Sequence, residues 1–438
     1  MEIDKTTLDD LSVFNQEETF SVFNKINLTL TSNGKDRLQL KLCNPLNSLE
    51  AINGVQQTLR LIISKEKQWP MEISNGTIKV VERFYETSFD PIPANPTQVT
   101  VMSYKLLHGP DFSLLKYSLI HCFDFIKGMQ KMLTHFLSDE TPEPMRLLLL
   151  DAQKLMNTEQ LQPIVLANKA VDITPATSLK LGRFLRYQYK HNIQHLMNIH
   201  AQLDAWYGMA MAVKKYDLAF PGFVETTQPF LEAKDLYHIL LENPVSYDLT
   251  MNRETNFLFL TGANMAGKST FIKSVGSAVF LAHVGMGVPA TSMNLGLFDG
   301  ILSNINVIDN IIKGESYFFN EVQRIKATIQ KVNDGRKWLI LIDELFKGTN
   351  VQDAMKCSSA VIEGLLKIRN SLFILSTHLY EIADALKVHP NINFSYFETS
   401  VLNDQLQFNY KLRPGISNDR LGYLILKKEG VVKMLEDL

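Results

Sequence analysis

The sequence predicts an α + α/β chain, with an all-helical region over residues 1–220 followed by an α/β region with a parallel sheet over residues 221–438. Three observations predict it. Residues 1 to about 250 carry mostly helical periodicity and no clear strand runs. The string Ala219-Phe220-Pro221-Gly222 is a helix stop signal, and the texture of the chain changes after it. From Asn256 onward, short apolar runs alternate with helical stretches, the pattern of parallel strands joined by crossover helices.

The bulk numbers fit a folded chain. At 438 residues, with 45% apolar and 21% charged side chains, the chain is long enough for two or three domains and is neither collagen-like nor disordered. Lys plus Arg total 44 against 46 for Asp plus Glu, so an anionic partner must be met by a local patch rather than by the net charge of −2. The three scattered cysteines, Cys43, Cys122 and Cys357, offer neither a disulfide framework nor a paired-cysteine metal site. No apolar run approaches the roughly 18 residues of a membrane span, and a cytoplasmic protein is expected.

In chain order, the first feature to interrupt the helical texture is the segment Asp90–Pro110, with Pro91, Pro93, Pro96 and Pro110, which reads as loop or extended chain. Ser178–Tyr216 has no proline, and Leu196, Ile199, Leu203, Trp206, Ala210 and Val213 recur at steps of three and four, predicting one long helix. The strand candidates are Asn256–Thr261, Lys337–Ile342 and Ser371–Ser376. Functional loops belong at their carboxyl ends.

Three motifs lie there. After the first strand, Thr261-Gly262-Ala263-Asn264-Met265-Ala266-Gly267-Lys268-Ser269-Thr270 fits the phosphate-binding loop pattern. In that pattern Gly262 and Gly267 let backbone amides curl around phosphates, Lys268 reaches the β and γ oxygens, and Ser269 ligates Mg²⁺. The second strand delivers Asp343, suited to hold Mg²⁺ through water, and Glu344, suited to polarise the attacking water. The third ends in Ser376-Thr377-His378, where the imidazole can sense a γ-phosphate or position water. ATP and Mg²⁺ are the implied cofactors. Elsewhere, Lys180, Arg183, Arg186 and Lys190 fall at helical spacing, with Tyr187 and Tyr189 nearby. Such a stripe neutralises phosphates without reading sequence, and the same spacing also describes a solvated helix face.

These motifs together resemble the MutS family. TGANMAGKST is similar to its phosphate-loop signature, LILIDELFKGTN to its Asp-Glu segment and STHLYE to its histidine motif. Gly285–Ala290 resembles the segment after the phosphate-loop helix, and Gly314–Glu321 resembles the Ser-Thr-Phe signature with Tyr317 in place of threonine. Thr19–Asn24 and Cys43–Leu46 resemble the start of the family's core domain. The resemblance implies a helical core and lever domain followed by an ABC-type P-loop NTPase domain. It also implies a homodimer in which Ser316 acts in trans on the partner's nucleotide.

Departures from the family pattern carry expectations too. Ala263 and Ala266 replace a proline and a glycine, Phe346-Lys347 stands where Gly-Arg is usual, and no aromatic aligns near Pro244-Val245 to stack on adenine. Tyr410, at the place of a family histidine, is expected to supply that stacking. The core-like segment begins almost at Met1, so a short form without mismatch-recognition and connector domains is expected, with weak DNA binding that is not mismatch-selective. Two rival readings are a DNA-free assembly protein that uses ATP as a switch, and a transporter-type ABC subunit. No LSGGQ-like string precedes Asp343 to support the second.

Overall fold

The structure, a computed structural model, describes residues 1–15, 20–306, 317–402, 405–417 and 430–436. Its helices are α1 Lys5–Asp10, α2 Val22–Ile26, α3 Ser32–Cys43, α4 Leu49–Ser64, α5 Asn75–Glu86, α6 Gln98–Leu107, α7 Gly109–Phe136 and α8 Glu143–Met156. They continue with α9 Gln162–Leu166, α10 Pro175–Tyr187, α11 Lys190–Lys215, α12 Lys268–His283, α13 Tyr317–Val332, α14 Val351–Leu365, α15 Ala383–Leu386 and α16 Val431–Glu436. The strands are β1 Glu2–Ile3, β2 Gly222–Val224, β3 Leu231–Leu236, β4 Tyr247–Met251, β5 Phe257–Thr261 and β6 Ser292–Gly296. After them come β7 Gly300–Asn304, β8 Trp338–Asp343, β9 Leu372–Ser376, β10 Ile392–Leu402 and β11 Gln405–Pro414. Among the described residues no helix is long and apolar enough to cross a membrane.

The chain divides into two compact units, but not by a single cut near residue 220. One unit joins Met1–Lys25 and Asn44–Ile52 to Lys215–Leu438, and the other holds Ile26–Cys43 and Asn53–Lys214. The reason lies in the N-terminus. β1 adds a parallel strand beside β7, pairing Glu2 with Gly300 and Ile3 with Ile301. The Asp10 carboxylate accepts from Ser303 Oγ at 2.6 Å and from the Ile305 amide at 3.0 Å. The Met1 ammonium donates to the Pro45 and Leu46 carbonyls at 3.2 and 3.1 Å, and the Leu46 amide donates to His283 O at 2.7 Å.

In this α/β unit a seven-stranded sheet runs β1-β7-β8-β9-β5-β10-β11, parallel except for the final β10–β11 pair. The expected strands appear as β5, β8 and β9, buried at every position, which is why they read as unbroken apolar runs. Phe257 stacks on Phe373 across neighbouring strands at 5.7 Å, and Trp338 is fully buried in the same core. The strand-poor reading of the first 250 residues needs correction. β1 to β4 all lie there, and β2, β3 and β4 join β6 in a second sheet ordered β2-β6-β3-β4. Its β4 is half-buried with alternate residues inward, a short pattern that a helical window averages away.

The helical unit is built around α7, whose first turn contains Pro110, a tolerated position because its missing N–H has no intrahelical partner. Gly128 of α7 lets the chain entering α5 pack close, since a Cβ there would lie 2.4 Å from Ile73, two residues before that helix. Two expectations change here. The Pro-rich stretch contains α6, started by Thr97, whose side chain and that of Thr100 bond reciprocally to each other's amides. The long helix from Ser178 to Tyr216 is two helices, α10 and α11, broken at Gln188-Tyr189. Both amides turn back to Phe184 O, at 2.9 and 3.0 Å, and the break lets the buried Tyr189 donate its hydroxyl to Leu155 O at 2.6 Å. Further along α11, buried Asp204 accepts from the Leu30 amide at 2.9 Å, the Thr31 amide at 2.9 Å and Thr31 Oγ1 at 2.6 Å.

Candidate active site

The loop after β5 takes a path few side chains allow. Gly262 has φ +137°, Met265 +65° and Gly267 +106°, and Gly267 opens α12 with no side-chain cap on the helix start. Glycine removes the strain at two of the three positions. The uncapped first-turn amides of α12, together with the positive end of its dipole, form an anion-binding geometry. Lys268 is buried and turns back over the loop, donating to Gly262 O at 2.9 Å and Ala263 O at 3.0 Å. Burial pushes its ammonium pKa down, and nearby Glu344 and Asp343 partly offset that.

β5 pairs with β9 and β9 with β8, so three strand ends stand side by side. Asp343 is buried at the end of β8 and accepts a short hydrogen bond from Ser376 Oγ of β9. Glu344 turns the chain with φ +65°, and its amide donates to Ser376 O at 3.0 Å. Its carboxylate meets His378 Nε2 at 2.6 Å and Lys347 Nζ at 3.2 Å. Burial alone would raise the Glu344 pKa, but His378 and Lys347 more than offset it and hold the group at about 2. His378 Nε2 also lies 3.5 Å from Lys268 Nζ. Phe346, at φ +59°, is a second left-handed residue within three positions, a strain that persists only where the surroundings enforce it.

A cleft of about 460 Å³ opens beside this cluster. It is lined by Asn264 through Thr270 and Glu344, and by Leu241, Asn243, Val245, Tyr247 and Tyr410. Tyr410 sits on β11 at φ +53°, stacked near Phe408 at 6.2 Å, and a Cβ on Gly267 would lie 3.3 Å from its ring. Tyr247 is wedged between Phe271 and Phe397, edge-on at 5.3 and 5.7 Å. The family resemblance marked the neighbourhood of Pro244-Val245, and the cleft adds Leu241, Asn243 and Tyr247 to it. The alternation of β4 bears on Tyr247 alone, the first residue of that strand.

Residues 258–435 match the family model described as MutS domain V. The DNA mismatch repair protein MutS of Carboxydothermus hydrogenoformans is 30% identical over 251 residues, 56% of this chain and 29% of that protein. The protein of the same name from Lactococcus lactis subsp. cremoris is 29% identical over 254 residues, 57% of this chain and 30% of its own. MutS protein homolog 4 of Homo sapiens is 30% identical over 245 residues, covering 53% and 25%. Over this region the chain is similar to proteins of the MutS family. It spans less than a third of the length of these curated relatives.

Within this MutS-like region, Lys268, Glu344 and His378 come together, with Asp343 hydrogen-bonded beside them. Ser269 is exposed at the start of α12. Ser316 lies outside the described residues, and α13 begins at the residue after it. The four residues of the basic stripe differ in their surroundings. Arg183 donates to Ile92 O at 2.7 Å, and Arg186 makes short hydrogen bonds to Phe84 O and Thr87 O. Lys180 is exposed on α10, while Lys190 opens the next helix beyond the break. Arg183 holds the chain at Ile92 and Arg186 the end of α5, both half-buried, whereas Lys180 and Lys190 are exposed.

Proposed function

We propose that this chain is a MutS-type ATPase that binds and hydrolyses ATP with Mg²⁺ and couples the cycle to DNA in mismatch repair or a related transaction. The observation that carries the proposal is the convergence of Lys268, Glu344 and His378 at the ends of adjacent parallel strands, beside an uncapped helix start. The first-turn amides of α12 and Lys268 hold the phosphates, with Lys268 exchanging the carbonyls of Gly262 and Ala263 for phosphate oxygens. Val245, Leu241 and Tyr410 offer apolar faces of the right kind for a nucleobase. Ser269 and Asp343 would hold Mg²⁺, which neutralises charge on the phosphates when bound. Glu344 takes the proton of the attacking water as the water oxygen bonds to the γ-phosphorus and the β,γ-bridging bond breaks, and His378 orients the carboxylate.

Two variants test the assignment of roles. Lys268→Ala should abolish ATP binding, because it removes a ground-state contact with the phosphates. Glu344→Gln should keep binding and lower turnover on the order of 10²-fold or more, the upper range for a general base. Comparable turnover in the Glu344→Gln protein and the parent would remove Glu344 from that role. Measuring ATPase rates with and without matched, mismatched and branched duplexes tests the coupling, and identical rates throughout would favour a DNA-free switch.

A further inference from the structure

The Glu321 side chain, 4% exposed in the second turn of α13, accepts hydrogen bonds on both oxygens. The Lys347 amide donates to one at 3.1 Å and the Gly348 amide to the other at 3.2 Å. A second tie joins the same two elements, since Phe318 of α13 packs on Phe346 at 5.7 Å. The loop so held has left-handed backbone at Glu344 and Phe346, a conformation that costs roughly 1–3 kcal/mol per residue and needs external support. Lys347 returns its ammonium to Glu344, completing a circuit from α13 through the loop backbone to the carboxylate.

α13 is itself anchored to the end of β7 and the two residues after it. Arg324 donates to the Asn306 and Ser303 carbonyls at 2.5 and 3.3 Å, while Asp10 accepts from the Asn306 amide at 3.0 Å. Thus the helix that follows Ser316 grips both the end of β7 and the loop that carries Glu344. A loop whose only task was to connect β8 to α14 would not require a buried carboxylate reaching across from another helix, given the desolvation involved.

We infer that Glu321 is a positioning residue, which fixes the Lys347-Gly348 backbone so that Lys347 holds the Glu344 carboxylate opposite His378. The inference rests on the ATPase reading for its kinetic consequence, but its structural arm stands alone. In Glu321→Gln one oxygen remains an acceptor while the new amide faces a backbone N–H, so the loop loses half its hold and α12 loses nothing.

The test uses the full chain and two measurements. Amide hydrogen exchange over residues 344–350 should quicken by roughly tenfold in Glu321→Gln, with exchange over α12 and β5 unchanged. The kcat for ATP should fall by about tenfold or more while KM and the dissociation constant of a fluorescent ATP analogue stay within about twofold, as misplacement of a reacting group predicts. Lys347→Met should reproduce the kcat loss without the exchange change, because it removes the ammonium and leaves both amides in place. Unchanged exchange at 344–350 would overturn the inference. So would kcat and KM worsening together with faster exchange throughout the α/β unit, which marks a merely structural residue. A parent chain that turns over no ATP would sink the ATPase reading, and the exchange comparison would still decide whether Glu321 holds the loop.

Discussion

The guanidinium of Arg186 donates from both terminal nitrogens to the carbonyls of Phe84 and Thr87 at the end of α5, and lies 4.7 Å from the Phe89 ring centroid. A cation at a helix C-terminus satisfies carbonyls that have no intrahelical donor and opposes the dipole favourably. The side chain therefore works within the fold, although its spacing in sequence matches that of a phosphate contact. Arg186→Ala should destabilise the helical unit by about 1–3 kcal/mol, read as a lower urea midpoint at an unchanged slope. Lys180→Ala, on the exposed face of the same helix, should change it by less than about 0.5 kcal/mol. Equal midpoints for the two variants would show that the carbonyl contacts contribute nothing. Any test of DNA affinity by charge reversal therefore belongs at Lys180 and Lys190, because reversal at Arg186 would confound binding with folding.

At the scale of elements, α12 must lie close against β8 and α1 for its first turn to face the cleft. Gly276 permits this, since a Cβ there would meet Leu11 Cδ2 and Leu341 Cδ1, each at 2.5 Å. Gly276→Val should cost about 1–3 kcal/mol through overpacking. It should also raise the dissociation constant for ATP, because the helix that shifts is the one presenting the phosphate-binding amides. Gly364 in α14 meets nothing within 4 Å, so Gly364→Ala should instead stabilise by about 0.5–1 kcal/mol through helix propensity. Urea titrations of both variants with ATP titrations alongside would check this, and a Gly276→Val protein as stable as the parent would refute the packing argument. Elements were legible in proportion to their burial. β5, β8 and β9 carry unbroken apolar runs, whereas β1 is two residues long and is defined only by pairing with β7. α6 hid among prolines because its cap, Thr97, lies after the last of them before the helix.

At the scale of the whole molecule, the family resemblance implies a cycle shared by two chains. Ser316 is expected, on the family resemblance, to reach the nucleotide of an opposite subunit. In the Glu344→Gln background, where ATP would persist uncleaved, the dimer fraction should rise with ATP and fall with ADP. Sedimentation velocity across nucleotide states checks this, and a monomer in every state alongside normal ATPase in the parent would contradict it.

The Gly262–Thr270 loop pattern, the Asp343-Glu344 pair and His378 were legible in the sequence itself. Each motif sits next to a strand it identifies, and a phosphate cradle depends on local backbone freedom at Gly262 and Gly267. Tertiary structure decided what depends on distant partners. The N-terminal β1 and α1 join the α/β unit through pairing with β7 and through the Asp10 carboxylate, contacts between residues nearly 300 positions apart. The Ser178–Tyr216 periodicity could not reveal the break at Tyr189, because the carbonyl that receives its hydroxyl belongs to Leu155 on another helix. Arg183 and Arg186 carry the same charge and spacing whether they face solvent or a carbonyl, and only the fold supplies the carbonyls of Ile92, Phe84 and Thr87. Periodicity records which residues are apolar along one element, whereas hydrogen-bond partners and strand order are set by free energies of contact between elements that lie far apart in the chain.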